Sequence, residues 1–360
     1  MPVAGATPDA ILPPGLTLAV QDDRLPVVPE DGIAGRLDLL AATGVTVTRV
    51  DVLWDQVAPQ RPDDAGDPGD PAYRWGRSDA VVDGLAARGI AAVMSVYRPP
   101  AWANGGRGGS WAPDPDAYGA FMTALARRYD GRSADADGRV HGPVEIFEPW
   151  NEPNIPRFLQ PQWRRDDDGA PVPASPAIYA ELVRRAWAAV KAVQPDAWIA
   201  AVSGAPSGSD NPPAGSVGIV HFVRDLVPLA PPADAWAQHL YTATSPGTST
   251  AMPSYRRLDD LLAELDAVRP GLPLLVTEFG WTTAGTGVRP SHVTEQEQEA
   301  DLREAVDMLA ANPRVRLAVW FNLEDNAEWT SGLRRADGTT KPVWDTFVAL
   351  PKLVPAASLP

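Results

Sequence analysis

The chain contains 360 residues, carries a formal net charge of -15 and lacks cysteine, and 44% of its residues are hydrophobic. This composition is typical of a folded protein with a sizeable core, and it excludes disulfides, thiolate chemistry and cysteine metal sites. The strong negative charge, without a Lys/Arg cluster to offset it, also disfavours nucleic acid and anionic membrane surfaces as partners.

Short apolar runs alternate with segments of helical period from one end of the chain to the other. This alternation is typical of a parallel sheet whose strands are connected by helices. The predicted strands are, in chain order, Leu16 to Val20, Val45 to Val52, Ile90 to Val96, Val144 to Trp150, Trp198 to Ser203, Ala235 to Tyr241, Leu274 to Phe279 and Val315 to Leu323. Helices are predicted between them from apolar residues three and four positions apart, as at Leu258, Leu261, Leu262 and Leu265.

Eight βα units favour a (β/α)₈ TIM barrel, with a doubly wound open sheet as the competing topology. The connections that follow strands are long and those that follow helices are mostly short, so the active site is expected at the carboxyl ends of the strands. We predict one catalytic barrel over residues 15–350, an N-terminal tail at residues 1–14 and a C-terminal tail at residues 351–360.

The sequence contains no run that approaches the roughly 18 to 20 apolar residues of a membrane span. Met1 to Pro14 lacks the basic start and apolar centre of a signal peptide. We therefore predict a soluble protein, with a monomer favoured. A cytoplasmic location and export with the signal removed both stay open.

Two glutamates each end a predicted strand. Glu152 lies in Phe147-Glu-Pro-Trp-Asn-Glu-Pro-Asn154, and Glu278 lies in Leu274-Leu-Val-Thr-Glu-Phe-Gly-Trp281. They are three βα repeats apart, so they would face each other across the mouth of a closed barrel. Two carboxyl groups placed this way can cleave a glycosidic bond of a carbohydrate substrate without metal or organic cofactor, because one protonates the departing oxygen while the other attacks or stabilises the anomeric carbon.

Polar residues beside these glutamates are candidate ligands for the substrate. Arg49 would point inward near the end of the second strand, either as a cation that keeps the nucleophile ionised or as a structural partner of Asp51 or Glu148. Glu148, Trp150 and Glu152 share one side of the fourth strand under a period of two. Asn151, between them, is expected to donate a hydrogen bond to a sugar 2-hydroxyl, with a plain turn cap as the alternative.

The sixth and eighth strands supply further candidates. His239 and Tyr241 lie on the same side of the sixth strand, where the phenol can hydrogen-bond the nucleophile and the imidazole can orient either acid, although a lone histidine is more often a core residue. Trp320 is predicted as the stacking floor beneath the sugar, with core packing as the alternative. Trp281 is predicted as a further wall of the cleft, and Trp54 either as a wall of the cleft or as loop packing.

No metal or cofactor pattern emerges from the sequence. Asp166-Asp-Asp-Gly169 lacks the spaced ligands of a calcium loop and is interpreted as a solvated charge run. No His-x-His or His-Glu-x-x-His pattern is present, the glycines form no phosphate-binding loop, and no nucleophile elbow is found. We therefore predict no cofactor and no metal.

These motifs together resemble the retaining glycoside hydrolases of clan A, and Trp150-Asn-Glu-Pro-Asn154 is similar to the strand-four signature of that clan. The resemblance implies Glu152 as acid/base, Glu278 as nucleophile, and a covalent glycosyl-enzyme. Arg49, His239, Tyr241 and Trp320 fall where family 5 members have an arginine, a His-x-Tyr pair and a tryptophan.

Within the clan, the segments Val45 to Pro59 and Tyr97 to Trp102 look most like family 39, which is associated with β-xylosidases, α-L-iduronidases and exopolysaccharide glycosidases. The sequence departs from the clan at Pro149, and from family 5 at Tyr97 and Arg98, where a histidine is common. The alternatives to a hydrolase are a transglycosylase on the same scaffold and a glycan-binding barrel without activity.

Overall fold

The computed structural model describes residues 7–206, 208–213, 215–248, 252–287 and 291–355. The strands are β1 (Leu16–Gln21), β2 (Val47–Leu53), β3 (Ala91–Tyr97), β4 (Ile146–Pro149), β5 (Trp163–Arg165), β6 (Pro171–Pro173), β7 (Trp198–Gly204), β8 (Ala235–Leu240), β9 (Leu274–Phe279), β10 (Val315–Phe321) and β11 (Leu353–Val354). The α-helices are α1 (Pro8–Ile11), α2 (Ile33–Ala42), α3 (Trp54–Val57), α4 (Gly76–Ala86), α5 (Pro115–Arg128), α6 (Ser175–Val193), α7 (Ile219–Leu226), α8 (Leu258–Asp266), α9 (Glu295–Ala310) and α10 (Pro342–Ala349).

The main sheet runs in the order β11-β1-β10-β9-β8-β7-β4-β3-β2. Its strands pair in parallel, apart from β11, which is antiparallel to β1. The two ends of the parallel sheet meet where Thr48 Oγ1 donates a 2.6 Å hydrogen bond to Val20 O, linking β2 to β1. The predicted (β/α)₈ barrel is thereby confirmed, and each predicted strand overlaps an observed one.

The helices cover the outside of the barrel because each buries one apolar face. The four leucines that predict α8 are all buried, as are Leu302, Ala305, Val306 and Leu309 of α9. Helix α9 begins with a capping box, in which Thr294 accepts from the backbone of Glu297 and the Glu297 side chain accepts from Thr294 N.

Among the described residues, no helix is both long enough and apolar enough to cross a membrane.

The interior of the barrel changes from apolar to polar along the strands. A lower cluster holds Ala19, Val47, Val93, Ile146, Leu275 and Leu317. Two positions further along four of these strands, the buried residues are Gln21, Arg49, Ser95 and Glu148. Because alternate residues of a strand face the same side, each of these polar groups lies directly above an apolar one, near the carboxyl ends of the strands.

The boundaries of the two predicted tails need correction. Residues 8–11 form α1, and Leu12 is fully buried in the lower barrel cluster, where Arg316 Nε donates to Leu12 O at 3.0 Å. At the other end, β11 extends the sheet beside β1. The sequence did not indicate either element because both are short and take their stability from contacts with the barrel. Residues 1–6 and 356–360 lie outside the described residues.

The long loop after β4 contains a small antiparallel hairpin, β5–β6, which the sequence did not indicate. Its turn holds the charge run that follows Arg165, where Asp166 Oδ1 accepts hydrogen bonds from Asp168 N and Ala170 N. The aspartate thus closes a turn with its own backbone, in agreement with its interpretation as a solvated segment.

Candidate active site

A cleft of about 1240 Å³ lies at the carboxyl ends of the parallel strands. Its walls come from the loops after β1, β3, β4, β8, β9 and β10, and both Glu152 and Glu278 line it. Its volume exceeds the range of roughly 300 to 1,000 Å³ that is common for small-molecule sites. The cleft therefore has room for more than one sugar unit.

Arg49 is the centre of the polar network beneath this cleft, and its side chain is fully buried. Its guanidinium donates to Glu148 Oε2 at 2.5 Å and to Glu278 Oε1 at 2.7 Å. It also donates to Asn151 Oδ1 at 2.7 Å, and further to Gln21 and Ser95. The sequence left two contacts open for Arg49, one with the proposed nucleophile and one with a structural acid. Both are present, because the same guanidinium contacts Glu278 in the cleft and the buried Glu148.

Arg49 and its buried partner Glu148 stabilise each other's charged forms. Burial raises the pKa of Glu148, but the positive charges of Arg49 and His239 outweigh burial and leave that pKa below its ordinary value. Glu148 is therefore an anion that holds Arg49 in place. The pKa of Arg49 is raised, because nearby carboxylates overcome the effect of its complete burial.

Glu278 reaches the cleft because β9 contains a bulge at Thr277. Val276 pairs with Gln238 of β8 and Glu278 pairs with the very next residue, His239, so β9 has one extra residue between them. The same extra residue disturbs its pairing with β10. Leu274 and Val276, which share the parity of Glu278, pack in the outer layer against the helices. The bulge therefore reverses the alternation and turns Glu278 into the barrel.

Glu152 is positioned by an irregular backbone after β4. Trp150 has φ 76° and Glu152 has φ 42°, both in the left-handed region, and Glu152 N donates to Ser203 O of β7 at 3.0 Å. The expectation that Trp150 shares a side with Glu148 and Glu152 is wrong, because its indole is fully buried in the outer layer and packs against Tyr118. A positive φ ends the alternation of the strand at Trp150.

His239 and Tyr241 each contact one of the two acids. His239 Nδ1 lies 2.9 Å from Glu152 Oε1 and 3.5 Å from Glu278 Oε2, and its Nε2 lies 3.2 Å from Ser203 Oγ. Tyr241 OH donates to Glu278 Oε2 at 2.7 Å. Burial lowers the pKa of His239, but the charge of Glu278 and the hydrogen bond to Glu152 raise it above its ordinary value.

Opposing influences act on Glu278, which is only 6% exposed. Burial raises the pKa of its carboxyl group, and the adjacent Glu152 carboxylate raises it as well. The charges of His239 and Arg49 and the hydrogen bond from Tyr241 lower it, and the net direction is upward.

Asn151 is 5% exposed and lies next to Glu152. Because a guanidinium only donates hydrogen bonds, the side chain of Asn151 must present its oxygen to Arg49. This contact fixes the orientation of the amide and leaves its NH₂ group as the donor for a ligand. Asn151 and the four residues Arg49, Glu152, His239 and Glu278 thus form one connected network with Tyr241.

The tryptophans that the sequence assigns to the cleft lie mainly in the core. Trp320 is fully buried, donates from Nε1 to Ser331 O at 2.9 Å and packs on Phe279, so its predicted role as a sugar platform is corrected. Trp54 is also fully buried and stacks on Phe121 at 5.1 Å. Trp281 borders the cleft but is 2% exposed and stacks on Tyr255.

The reason for the misplaced platform is the alternation of β10. Leu317 and Val319 belong to the inner barrel cluster, whereas Trp320 belongs to the outer layer. Phe321 has the inner parity and lines the cleft, where its ring lies 5.1 Å from that of Trp329. The same alternation, counted from the sequence, would have favoured Phe321 over Trp320.

Several other residues of the cleft had no assignment from the sequence. Tyr97, where the chain departs from the family 5 histidine, lines the cleft and donates to Asp51 Oδ2 at 3.2 Å. Trp329 lies beside Tyr241 with ring centroids 5.0 Å apart. Asp23 accepts from Asn326, and burial, with the charges of Asp22, Asp51 and Glu278, raises its pKa to about 7. Asp23 and Trp329 lie in loops, which gave no periodic signal, and Tyr97 is the last residue of β3.

The ligand atoms of Glu152, His239 and Glu278 lie within 4.8 Å of one another, a spacing that a metal ion can also use. Two contacts oppose a divalent cation at this point. Arg49 holds a positive charge 2.7 Å from Glu278, and His239 is already within hydrogen-bond distance of Glu152. The triad fits an acid pair oriented by a histidine better than it fits a metal centre.

Comparisons with known proteins agree with this geometry. The family model described as cellulase (glycosyl hydrolase family 5) matches residues 28–326. No curated protein sequence matches the chain. Similar solved structures include a family 39 glycoside hydrolase from Bacteroides cellulosilyticus WH2, with a TM-score of 0.61, 20% identity and coverage of 96% of this chain and 65% of that chain.

Two further structures extend the comparison. A monomeric beta-xylosidase from Caulobacter crescentus CB15 has a TM-score of 0.62 and 19% identity, and the match covers 96% of this chain and 69% of that chain. A GH5_18 protein from Bifidobacterium longum subsp. infantis has a TM-score of 0.64 and 14% identity over 93% of this chain and 78% of that chain. At these identities the likeness is one of fold, and the chain spans about two thirds of the length of the first structures.

Proposed function

The chain belongs to glycosyl hydrolase family 5, the cellulase family of the model that matches residues 28–326, and we propose that it is a retaining glycosidase with Glu152 as acid/base and Glu278 as nucleophile. Membership of this family makes the chain a glycoside hydrolase and confirms the predicted resemblance to clan A. The mechanism, the roles of the residues and the class of substrate are proposals from the site.

The observation that carries the proposal is the spacing of the two acids. Oxygen atoms of Glu152 and Glu278 lie within 4.8 Å of each other. Retaining enzymes hold their carboxyl groups about 5 to 5.5 Å apart, whereas inverting enzymes need roughly 6.5 to 9.5 Å to admit a water molecule. The short spacing supports direct attack by one carboxylate on the anomeric carbon.

The contacts of the two acids support a division of roles. Glu278 accepts from Arg49 and from Tyr241, and both donors stabilise its carboxylate form. Glu152 contacts only His239 among the charged or phenolic groups of the network described above. These donors favour Glu278 as the carboxylate that attacks, which leaves Glu152 as the acid that protonates the departing oxygen.

In the first step, Glu278 attacks the anomeric carbon while Glu152 protonates the departing oxygen, and the bond between that carbon and that oxygen breaks. A covalent glycosyl-enzyme results. Asn151, oriented by Arg49, donates to the 2-hydroxyl of the sugar, where the hydrogen bond strengthens as positive charge develops on the ring.

In the second step, Glu152 has lost its proton and acts as a base. Esterification removes the negative charge of Glu278 beside Glu152. Glu152 takes a proton from water as that water attacks the anomeric carbon, and Glu278 leaves as a carboxylate. Two displacements at one carbon retain its configuration.

The walls of the cleft support a carbohydrate as the substrate. Phe321, Trp329, Tyr97 and Phe158 supply aromatic surface, and the acids and amides between them supply hydrogen-bonding groups. Aromatic faces pack against the apolar faces of sugar rings, and polar groups read their hydroxyls. A sugar acceptor in place of water would give transglycosylation, and products formed with excess acceptor distinguish the two outcomes.

The test compares Glu278→Ala and Glu152→Ala on a panel of aryl glycosides and glycans. We expect Glu278→Ala to lose turnover. We expect Glu152→Ala to lose roughly 10² to 10⁴-fold on natural glycan, the contribution of general acid–base catalysis. On an activated aryl glycoside, azide should restore turnover to Glu152→Ala and give a glycosyl azide of retained configuration.

The matched control is Glu145→Gln, because Glu145 is a buried glutamate that immediately precedes β4 at the opposite end of the barrel from the cleft. It should keep wild-type activity. Full activity of either alanine variant on natural glycan would contradict the proposed roles, and activity that a chelator abolishes would favour a metal at the triad.

A further inference from the structure

An ion pair crosses the top of the cleft. Arg157 Nη2 lies 2.6 Å from Glu328 Oε2, and both residues line the same cleft as the two acids. Arg157 belongs to the loop after β4, and Glu328 belongs to the loop after β10. Around the barrel the parallel strands follow in the order β1, β2, β3, β4, β7, β8, β9 and β10, so β4 and β10 lie opposite each other. The pair therefore joins opposite walls.

The Arg157 end of the pair is fixed by a turn. Phe158 N donates to Ile155 O at 3.2 Å, and Trp150 Nε1 donates to Phe158 O at 3.0 Å. The guanidinium of Arg157 lies 5.7 Å from the centre of the Phe158 ring, which in turn packs edge-on against Tyr97. Arg157 thus extends from an aromatic wall whose backbone is held by the buried Trp150.

The Glu328 end is fixed in a similar way. Asn326 Oδ1 accepts from Glu328 N and from Trp329 N, each at 2.8 Å, and Asn326 Nδ2 donates to Asp23 at 2.6 Å. Thr286 Oγ1 donates to Glu328 O at 2.8 Å, which ties this loop to the one after β9. The carboxylate is therefore presented from an anchored turn beside the ring of Trp329.

The geometry points to Arg157 and Glu328 as specificity-determining residues that make the enzyme attack the ends of sugar chains. An internal segment of a long chain would have to lie across the cleft from rim to rim, and the joined side chains stand in its way. A chain end can enter beneath them. This inference rests on the proposed glycosidase function and adds the class of substrate, which is the terminal residue of an oligosaccharide.

The barrier is steric more than energetic. The two side chains are 52% and 50% exposed, and an exposed ion pair contributes little stability. Removing the side chains therefore tests the inference better than adding salt does. The double variant Arg157→Ala/Glu328→Ala opens the top of the cleft, and the exchange Arg157→Glu/Glu328→Arg restores the pair with its charges reversed.

A second ion pair of the rim provides the matched control. Arg98 Nε lies 2.8 Å from Asp55 Oδ2, with side chains 40% and 31% exposed. Arg98 follows β3 and Asp55 lies in α3 after β2, so this pair joins neighbouring loops and leaves the cleft open. Arg98→Ala/Asp55→Ala also removes an exposed ion pair, but one that does not join opposite walls of the cleft.

The experiment follows cleavage of an oligosaccharide labelled at its reducing end, built from the sugar whose aryl glycoside the wild type hydrolyses. We expect the wild type to shorten the labelled chain one unit at a time. The opened variant should raise the ratio of internal to terminal cleavage by up to about fivefold, the largest ratio that an exposed ion pair maintains. The exchanged pair should return towards the wild-type ratio, and the Arg98/Asp55 control should keep it.

Internal cleavage by the wild type from the start, no terminal cleavage, or an unchanged ratio in the opened variant would overturn the inference while leaving the glycosidase intact. Failure of the wild type on every aryl glycoside would overturn the proposed function and this inference together. If the double alanine variant does not fold, the single variants Arg157→Ala and Glu328→Ala each remove one side of the crossing, and the same ratio decides.

Discussion

Replacing Tyr241 with phenylalanine removes one hydroxyl group from the candidate site and leaves the aromatic ring in place. The hydroxyl donates to Glu278 Oε2 at 2.7 Å, and the ring lies 5.0 Å from Trp329 and 6.4 Å from His239. The substitution therefore withdraws a donor from the proposed nucleophile while the packing of the ring is retained.

The magnitude follows from the charge of the acceptor. A hydrogen bond to a charged group contributes about 1.5 to 3 kcal/mol. Since about 1.4 kcal/mol corresponds to a tenfold change in an equilibrium constant, the loss of this bond should displace the acidic limb of kcat/KM by about one to two pH units. The loss raises the pKa of Glu278, because the Tyr241 hydroxyl stabilises only the ionised form of that carboxyl group. Glu278 must be ionised to attack, so the acidic limb of kcat/KM should move to higher pH by that amount.

The assay is the pH profile of kcat/KM with an aryl glycoside, measured for the wild type and Tyr241→Phe. The displacement of the whole acidic limb is the quantity to compare, because Glu278 lies beside a second carboxyl group. Tyr255→Phe is the control, because its buried hydroxyl donates to Leu240 O at 3.3 Å. A uniform loss of rate in Tyr241→Phe with an unmoved acidic limb would refute the electrostatic role of the hydroxyl.

Two further predictions concern groups that take no part in proton transfer or in nucleophilic attack. Burial raises the pKa of Glu145 to about 7 in the folded protein. The protonated side chain therefore favours folding most at pH values below the pKa of Glu145 in the unfolded chain, and this contribution to stability is lost as the pH rises towards 7. Glu145→Gln should therefore leave Tm unchanged near pH 5 and raise stability at pH 8 by about 1 to 2 kcal/mol, a value reduced for partial exposure; equal shifts at both pH values would contradict this. On β10, Phe321→Ala should raise KM about 2- to 10-fold by removing an aromatic contact, whereas Trp320→Ala should lower the free energy of unfolding by about 3 to 5 kcal/mol. A larger KM effect at Trp320 than at Phe321 would reverse the assignment of the two rings.

The periodicity of the sequence was sufficient to locate the strands of the barrel. Apolar runs such as Leu274 to Phe279 coincide with the observed strand, and the leucines of α8 occupy its buried face. Local patterns succeed here because the same spacing that defines a strand or helix also defines the face it buries. The short elements α1 and β11 were not predicted, since their stability comes from contacts with the barrel.

Irregular backbone accounts for the errors within the site. Trp150 departs from the alternation of β4 because its φ is positive, and Thr277 adds a residue to β9. Neither feature has a signature in the adjacent apolar runs. Trp320 was misassigned for a different reason, because the size of an indole suggested a platform while the parity of β10 already favoured Phe321.

The sequence by itself determined the barrel, the two glutamates and the residues Arg49, Asn151, His239 and Tyr241 around them, because each lies in or directly after a strand that the sequence pattern predicts. Only the tertiary structure decided which groups meet. The bulge at Thr277 turns Glu278 inward, and the crossing from Arg157 to Glu328 joins loops on opposite sides of the barrel. Both depend on contacts between residues distant in the chain, and such contacts leave no local pattern to read.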